Sequence, residues 1–212
     1  MSDPIKERYN KCGPRVAEAL KRRHFDAWYF QNTEDAVSFA LTLIPENDSV
    51  AWGGSATVDG SGLRELLRAR GTQMIDRSEA KTQKERDEIM RRALTADTFL
   101  CSSNAITEDG QLVNLDGNGN RVSARSYGPK SVIVLAGMNK VVKTLADAVS
   151  RTRNLAAPTN AQRFGVKTPC QITGECADCT ADDCICASLV NIRLSKPAGR
   201  IKVLLIGENL GM

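Results

Sequence analysis

The sequence predicts an α/β protein built on a mainly parallel sheet. Three observations carry that prediction. From about residue 49, short apolar runs alternate with amphipathic segments, the pattern of βαβ units. Ser131–Ala136 is a continuous apolar run, as a strand buried on both faces requires. A glycine-rich stretch, GGSATVDGSG (Gly53–Gly62), stands between a run of strand character and one of helical character. That is where open α/β sheets place their ligand loops.

The elements follow in order. Ile5, Tyr9, Cys12, Val16 and Leu20 recur at spacings of three and four, a buried helical stripe that Gly13-Pro14 interrupts and can split in two. A strand at Asp26–Phe30 precedes a helix from about Glu34 to Leu43, capped by Asn32 or Thr33 and stopped near Pro45. Ser49–Trp52 is a strand feeding the glycine-rich turn, and Leu63–Arg70 is the helix after it. A strand at Thr72–Ile75, a charged helix over roughly Glu79–Ala96 and a strand at Thr98–Cys101 continue the alternation. The pattern then breaks. Gln111–Leu115 and Arg121–Ala124 are short β-like runs around DGNGN, a turn signal, and predict a hairpin inserted at the sheet edge. After Ser131–Ala136 comes a helix over about Lys140–Asn154, then a cysteine-rich segment. Leu189–Leu194 and Ile201–Ile206 close the chain as strands. The reading is of one structural domain, with an N-terminal helical segment (1–48) packed on an α/β unit (49–212).

A chain of 212 residues can bury a full core. Its 42% hydrophobic and 25% charged content is that of an ordinary globular protein. The net charge of +4 comes from interleaved acids and bases, and aromatics make up only 5%. There is therefore no basic stripe with stacking partners, and nucleic acid is not implied. The longest apolar runs fall far short of the roughly 20 residues that span a bilayer. The start, MSDPIKERYNKC, lacks the apolar core of a secretory signal. The expectation is a cytoplasmic protein without a membrane partner, and nothing here speaks against a homo-oligomer.

The strongest chemical signal lies in CQITGECADCTADDCIC, where five of the seven cysteines fall: Cys170, Cys176, Cys179, Cys184 and Cys186. Thiolates hold zinc and iron–sulfur clusters, and four of them suit tetrahedral zinc or a [4Fe–4S] cluster equally. The competing readings are disulfides, a redox-active CxxC pair, or plain burial. An odd number of thiols in a reducing compartment, the lack of a thioredoxin-like context and the polar, acidic segment weigh against them in turn.

The second signal is the glycine-rich turn. Backbone N–H groups at Gly53 and Gly54, with hydroxyls at Ser55 and Thr57, favour a small anion. A tight turn with a helix cap would use the same residues. SSNAITED (Ser102–Asp109) also follows a strand and should face the same crevice, offering Asn104, Thr107 and Glu108. Glu108 is a candidate general base or nucleophile by position, and otherwise a solvated hairpin residue. Asn118 and Arg121 sit at the expected hairpin tip, where Arg121 would clamp a carboxylate or phosphate or simply face solvent. Asn160, Arg163 and Lys167 precede the cysteines and either link them electrostatically to the crevice or face water. His24 is the only histidine, at a helix end beside Arg22 and Arg23, so histidine-dependent triads are not expected. Cys12 and Cys101 fit the apolar pattern as core residues.

Five phrases in register resemble the LUD-domain family, the lactate utilization proteins, in their short single-domain form. They are AWGGSATVDGSGL, SSNAITEDGQLVNLDGNGNRVSA, GPKSVIVLAGMNKVV, RTRNLAAPTNAQRFGVKTPCQITGECADC and GRIKVLLIGENLG, together covering most of residues 50–212. The resemblance implies a three-layer α/β fold like that of ribose-5-phosphate isomerase, glucosamine-6-phosphate deaminase and the CoA transferases. It implies 2-hydroxy-acid metabolism, with a small anionic metabolite as ligand and iron–sulfur oxidoreductase subunits as partners. Two further roles come with it: a non-catalytic accessory or electron-transfer subunit, and an isomerase, deaminase or CoA-type enzyme of the wider fold. The family's C-x5-C-x2-C-x6-C pattern selects Cys170, Cys176, Cys179 and Cys186 as metal ligands. Cys184 is left as an extra or as a substitute for Cys186. The family's redox setting favours the [4Fe–4S] cluster, with zinc as the alternative.

Overall fold

A computed structural model describes residues 3–212, so the first two residues of the N-terminal segment lie outside it. The chain opens with helix α1 (Pro4–Arg22), capped by the Asp3 carboxylate. It runs unbroken through Pro14, where the sequence allowed a split. Gly13 lies against the Tyr29 ring, and any side chain there would overlap it. Close packing of the helix on the next strand compensates for the one backbone hydrogen bond that proline forfeits.

Strand β1 (Asp26–Phe30), α2 (Thr33–Thr42), β2 (Ser49–Trp52), the single turn α3 (Ala56–Asp59), α4 (Leu63–Ala69) and β3 (Gln73–Ile75) follow. Then come α5 (Gln83–Arg92), β4 (Thr98–Cys101), β5 (Ala105–Thr107), β6 (Leu112–Asp116), α6 (Asn120–Ser126) and β7 (Ser131–Gly137). The last third holds β8 (Val141–Val142), α7 (Leu145–Arg151), a π-helical turn (Thr152–Ala156), α8 (Ala157–Ala161), α9 (Pro169–Thr173), β9 (Ser188–Ile192) and β10 (Ile201–Ile206).

Six strands form one sheet in the order β1-β10-β7-β4-β2-β3, every neighbouring pair parallel. The fold is therefore α/β with a mainly parallel central sheet. Side chains alternate across it. Val132, Val134 and Ala136 join α1 and Ala124 of α6 on one face. Ile133 and Leu135 join Ala36, Val58 and Leu67 of α2, α3 and α4 on the other. The result is three layers. A smaller sheet, β8-β5-β6-β9, packs Ala105 and Val113 against Ala148 of α7.

Two expectations shift. The hairpin is the antiparallel pair β5–β6, and its turn lies at residues 108–111. Arg121–Ala124 belongs to helix α6 rather than to a strand. Gly119, at φ 77°, turns the chain in a left-handed conformation that suits glycine, and the Asp116 carboxylate accepts from the N–H groups of Arg121 (2.8 Å) and Val122 (3.1 Å). The expected helix from Lys140 is also broken up: a 3-10 turn (Met138–Lys140) and β8, paired with β5, precede α7.

Candidate functional site

The sheet order places a crevice. From β2 the chain moves outward to β3, then returns across β2 to β4, so the loops after β2 and β4 diverge. Ligands of open α/β sheets sit at such a switch point, outside the carboxyl ends of the strands. Three adjacent parallel strands deliver the lining here: β2 leads to Gly53–Thr57, β4 to Ser102–Asn104, and β7 to Lys140. The crevice is narrow, about 40 Å3, which is room for about three waters.

Lys140 dominates its chemistry. The side chain is 4% exposed, and its Nζ donates to Thr57 Oγ1 and Ser102 Oγ, each at 2.8 Å. Among the described residues no acidic side chain lines the crevice. Burial first, then the nearby Arg151 and Arg125 guanidiniums, bring its pKa down to about 7. No sequence motif singled this lysine out. Its position directly after the most apolar strand is the signal that was there to be read.

Arginines hold the loops in place. Arg125 is buried, donating from Nε to Cys101 Sγ (3.2 Å) and from its two terminal nitrogens to Asn114 Oδ1 and the Ser102 carbonyl. Arg121 donates to the carbonyls of Gly54 (3.1 Å) and Leu115 (2.9 Å) and pairs with Asp116 at 3.3 Å. It pins the glycine turn to β6. Gly53 allows this, because a Cβ there would lie 2.4 Å from the Arg121 side chain.

Of the residues singled out from sequence, Gly53, Gly54, Ser55, Thr57, Asn104 and Arg121 meet at the crevice, joined by Asn160 and Arg163. Ser55 Oγ accepts from Val58 N (3.3 Å), capping α3. Asn104 Oδ1 accepts from Leu115 N (3.0 Å). Three residues lie elsewhere. Thr107 is fully buried in the hairpin turn, its hydroxyl accepting from Gln111 N at 2.8 Å. Glu108 pairs with Lys143 (2.8 Å) beyond the crevice. Asn118 lines a neighbouring groove that shares Gly54, Arg121 and Asn160 with it.

The cysteines form a second site. Cys170 is carried on α9, and Cys176, Cys179 and Cys186 follow in the loop leading to β9. These four line one cavity of about 200 Å3, together with Leu115, Pro158 and Leu189. Cys184 faces the neighbouring groove instead. All seven cysteines are free thiols. Among the described residues no three His, Cys, Asp or Glu side chains converge as they would around a single ion. The thiols surround a volume rather than a point. Burial, followed by Cys184, Cys179, Cys176 and Cys170, pushes the Cys186 thiol up to about 11. Arg153 approaches Cys176 Sγ at 4.0 Å and pairs with Asp178. One segment walls both sites: Ala156 and Asn160 face the crevice, while Arg153, Ala157 and Pro158 face the cysteines.

No helix among the described residues is long and apolar enough to cross a membrane. The fold is similar to that of a DUF162 family protein from Deinococcus radiodurans, with a TM-score of 0.53 at 12% identity over 93% of this chain and 97% of that one. Weaker similarities, at a TM-score of 0.34 each, link it to eIF2B delta from Chaetomium thermophilum and to ribose 5 phosphate isomerase A from Neisseria gonorrhoeae. The first is 18% identical over 57% of this chain and 54% of that one; the second is 14% identical over 63% and 66%. No curated protein matches the sequence. A family model described as the LUD domain matches residues 14–206, nearly the whole chain, and the protein belongs to the LUD-domain family.

Proposed function

We propose that this protein serves 2-hydroxy-acid metabolism by binding a small 2-hydroxy or 2-oxo carboxylate in the crevice and holding a [4Fe–4S] cluster on Cys170, Cys176, Cys179 and Cys186. The observation that carries the first half is Lys140, a buried amine whose near partners are two hydroxyls and whose crevice has no acidic side chain among the described residues. An entering carboxylate supplies the missing charge. The narrow crevice suits a compact acid. Ser102, held through its carbonyl by Arg125, and Thr57, on α3, fix the amine from two sides.

For the second half, a single zinc ion requires sulfurs about 2.3 Å from one point. Four thiols around about 200 Å3 leave room for a larger group. Such a cluster supplies one-electron chemistry when bound. The protein's own share is the four thiolates, Arg153 beside Cys176, and the apolar side chains of Leu115 and Pro158 in the lining.

Calorimetric titration with L-lactate and pyruvate tests the crevice. Lys140→Ala should weaken binding about tenfold or more, the loss of a charge-assisted hydrogen bond. Iron and sulfide analysis of anaerobically prepared protein tests the thiols. Cys176→Ser should lose iron and Cys184→Ser should keep it. Metal-free wild-type protein, or equal loss in both variants, would remove the cluster from the reading.

One observation favours a second role, as a module docking on an oxidoreductase. Large apolar side chains stand exposed around the cysteine cavity: Leu189 in its lining, Ile172 two residues beyond Cys170, and Leu155 two beyond Arg153. Iron retained without any carboxylate binding would favour that role.

A further inference from the structure

We propose that Lys140 is a catalytic amine, and that its Nζ condenses with the carbonyl carbon of a 2-oxo carboxylate held in the crevice to form an imine. The inference rests on the crevice being a carboxylate site, and it adds what the site does to such a ligand.

Three features of the geometry point the same way. The first is the hydrogen bonding of the amine. Lys140 Nζ donates to Thr57 Oγ1 and Ser102 Oγ, and these are its only hydrogen-bond partners among the described residues. Two of its valences are thereby fixed, and the remaining position is uncommitted. On a neutral amine that position is the lone pair. Lysines used as nucleophiles need such an environment, apolar or flanked by cations, to hold the amine unprotonated.

The second is charge. The charged groups that face Lys140 are Arg125 from α6 and Arg151 from α7, both cations. Cys101, the last residue of β4, also lines the crevice, and Arg121 holds the glycine turn from α6. Among the described residues no acidic side chain belongs to this set, and Met212, whose backbone oxygen accepts from Arg151 (3.5 Å), lines the crevice beside it. Arginines that disfavour the ammonium form also attract the carboxylate of a ligand, so one arrangement serves both nucleophile and substrate.

The third is rigidity. Lys140 ends a 3-10 turn directly after β7, the strand flanked by β10 and β4 in the middle of the sheet. The residue before it is held at both ends: the Asn139 carbonyl accepts from Arg151 Nε (3.3 Å), and its side chain accepts from Leu210 N (3.1 Å). The amine is thus presented from a braced backbone, as covalent chemistry requires.

The step balances without an oxidant. The neutral Nζ attacks the ligand's carbonyl carbon, a C–N bond forms, and the carbonyl π pair moves to oxygen. A proton passes from nitrogen to that oxygen, with the Ser102 or Thr57 hydroxyl as relay, giving a carbinolamine. The hydroxyl then leaves as water while C=N forms. One amine and one carbonyl become one imine and one water. The protonated imine acidifies the C–H bonds next to the former carbonyl, so the methyl hydrogens of bound pyruvate should exchange with solvent.

The test uses the full chain with pyruvate and sodium borohydride, which reduces an imine to a stable secondary amine. Peptide mapping should find the reduced pyruvate adduct on Lys140, increasing as pH rises through 7. Lys140→Arg keeps the charge and the fold, checked by circular dichroism, and should abolish the adduct. Ser102→Ala, which keeps the amine, should slow trapping and slow deuterium exchange into the pyruvate methyl group. Pyruvate that binds by calorimetry but yields no adduct at Lys140 overturns the imine and leaves the carboxylate site intact. No pyruvate binding at all overturns both. An adduct equally abundant in Lys140→Arg places the chemistry on surface lysines and overturns the proposal.

Discussion

At the scale of single residues, Lys140 stabilises the site's chemistry at the expense of the fold. Its pKa falls from 10.5 in the unfolded chain to about 7 in the folded one. Between these values the unfolded chain binds more protons, so the ligand-free protein should gain stability as pH rises from about 7 towards 10.5. Lys140→Met should flatten that dependence. The variant should be the more stable near and below pH 7, by on the order of a few kcal/mol, with the gap closing in alkali. Melting temperature against pH for both proteins checks this, and a Met variant less stable at pH 7 would contradict it. His24 offers a second residue-scale outcome. It sits exposed at φ 61°, a left-handed conformation that favours glycine. His24→Gly should raise stability by up to about 1 kcal/mol, read from urea unfolding.

Among the elements, α6 depends on a residue far along the chain. Arg200 donates to the carbonyls of Ala124 (2.8 Å), Arg125 (2.6 Å), Tyr127 (3.0 Å) and Pro129 (2.9 Å). It thereby satisfies the carbonyls that a helix leaves open at its end, with a cation where the helix dipole favours one. Arg200→Met should cost about 2–4 kcal/mol and also weaken pyruvate binding, since α6 carries Arg121 and Arg125. The denaturation midpoint and a binding titration measure the two effects. This dependence also shows what the sequence could and could not disclose. Strands Asp26–Phe30, Ser49–Trp52, Thr98–Cys101 and Ile201–Ile206 were legible, because short apolar runs between turn residues specify themselves. Arg121–Ala124 was not. Its Val-Ser-Ala pattern alternates like a strand, and the helix arises from Asp116 at one end and Arg200 at the other. Lys140 left only a faint trace, its place after an apolar strand, because a lysine there is ordinarily solvated. Its burial exists only once β2, β4 and β7 lie side by side. The glycine turn was legible as a crevice element for the opposite reason: strand, glycines and helix are contiguous in the chain.

For the molecule as a whole, the two cavities are neighbours rather than separate modules. The segment Thr152–Ala161 begins with a π-helical turn, a rare form often found at functional sites. Its residues alternate between the crevice and the cysteine cavity, so one stretch of backbone borders both. Binding at the two places is then subject to thermodynamic reciprocity. Whatever factor a metal centre on the thiols imposes on pyruvate affinity, pyruvate must impose on metal affinity. Titrating pyruvate into metal-free and metal-loaded protein, then metal into protein with and without pyruvate, gives two ratios that have to agree. A ratio different from one would make this ten-residue wall a transducer, through which the occupancy of one chamber is reported to the other.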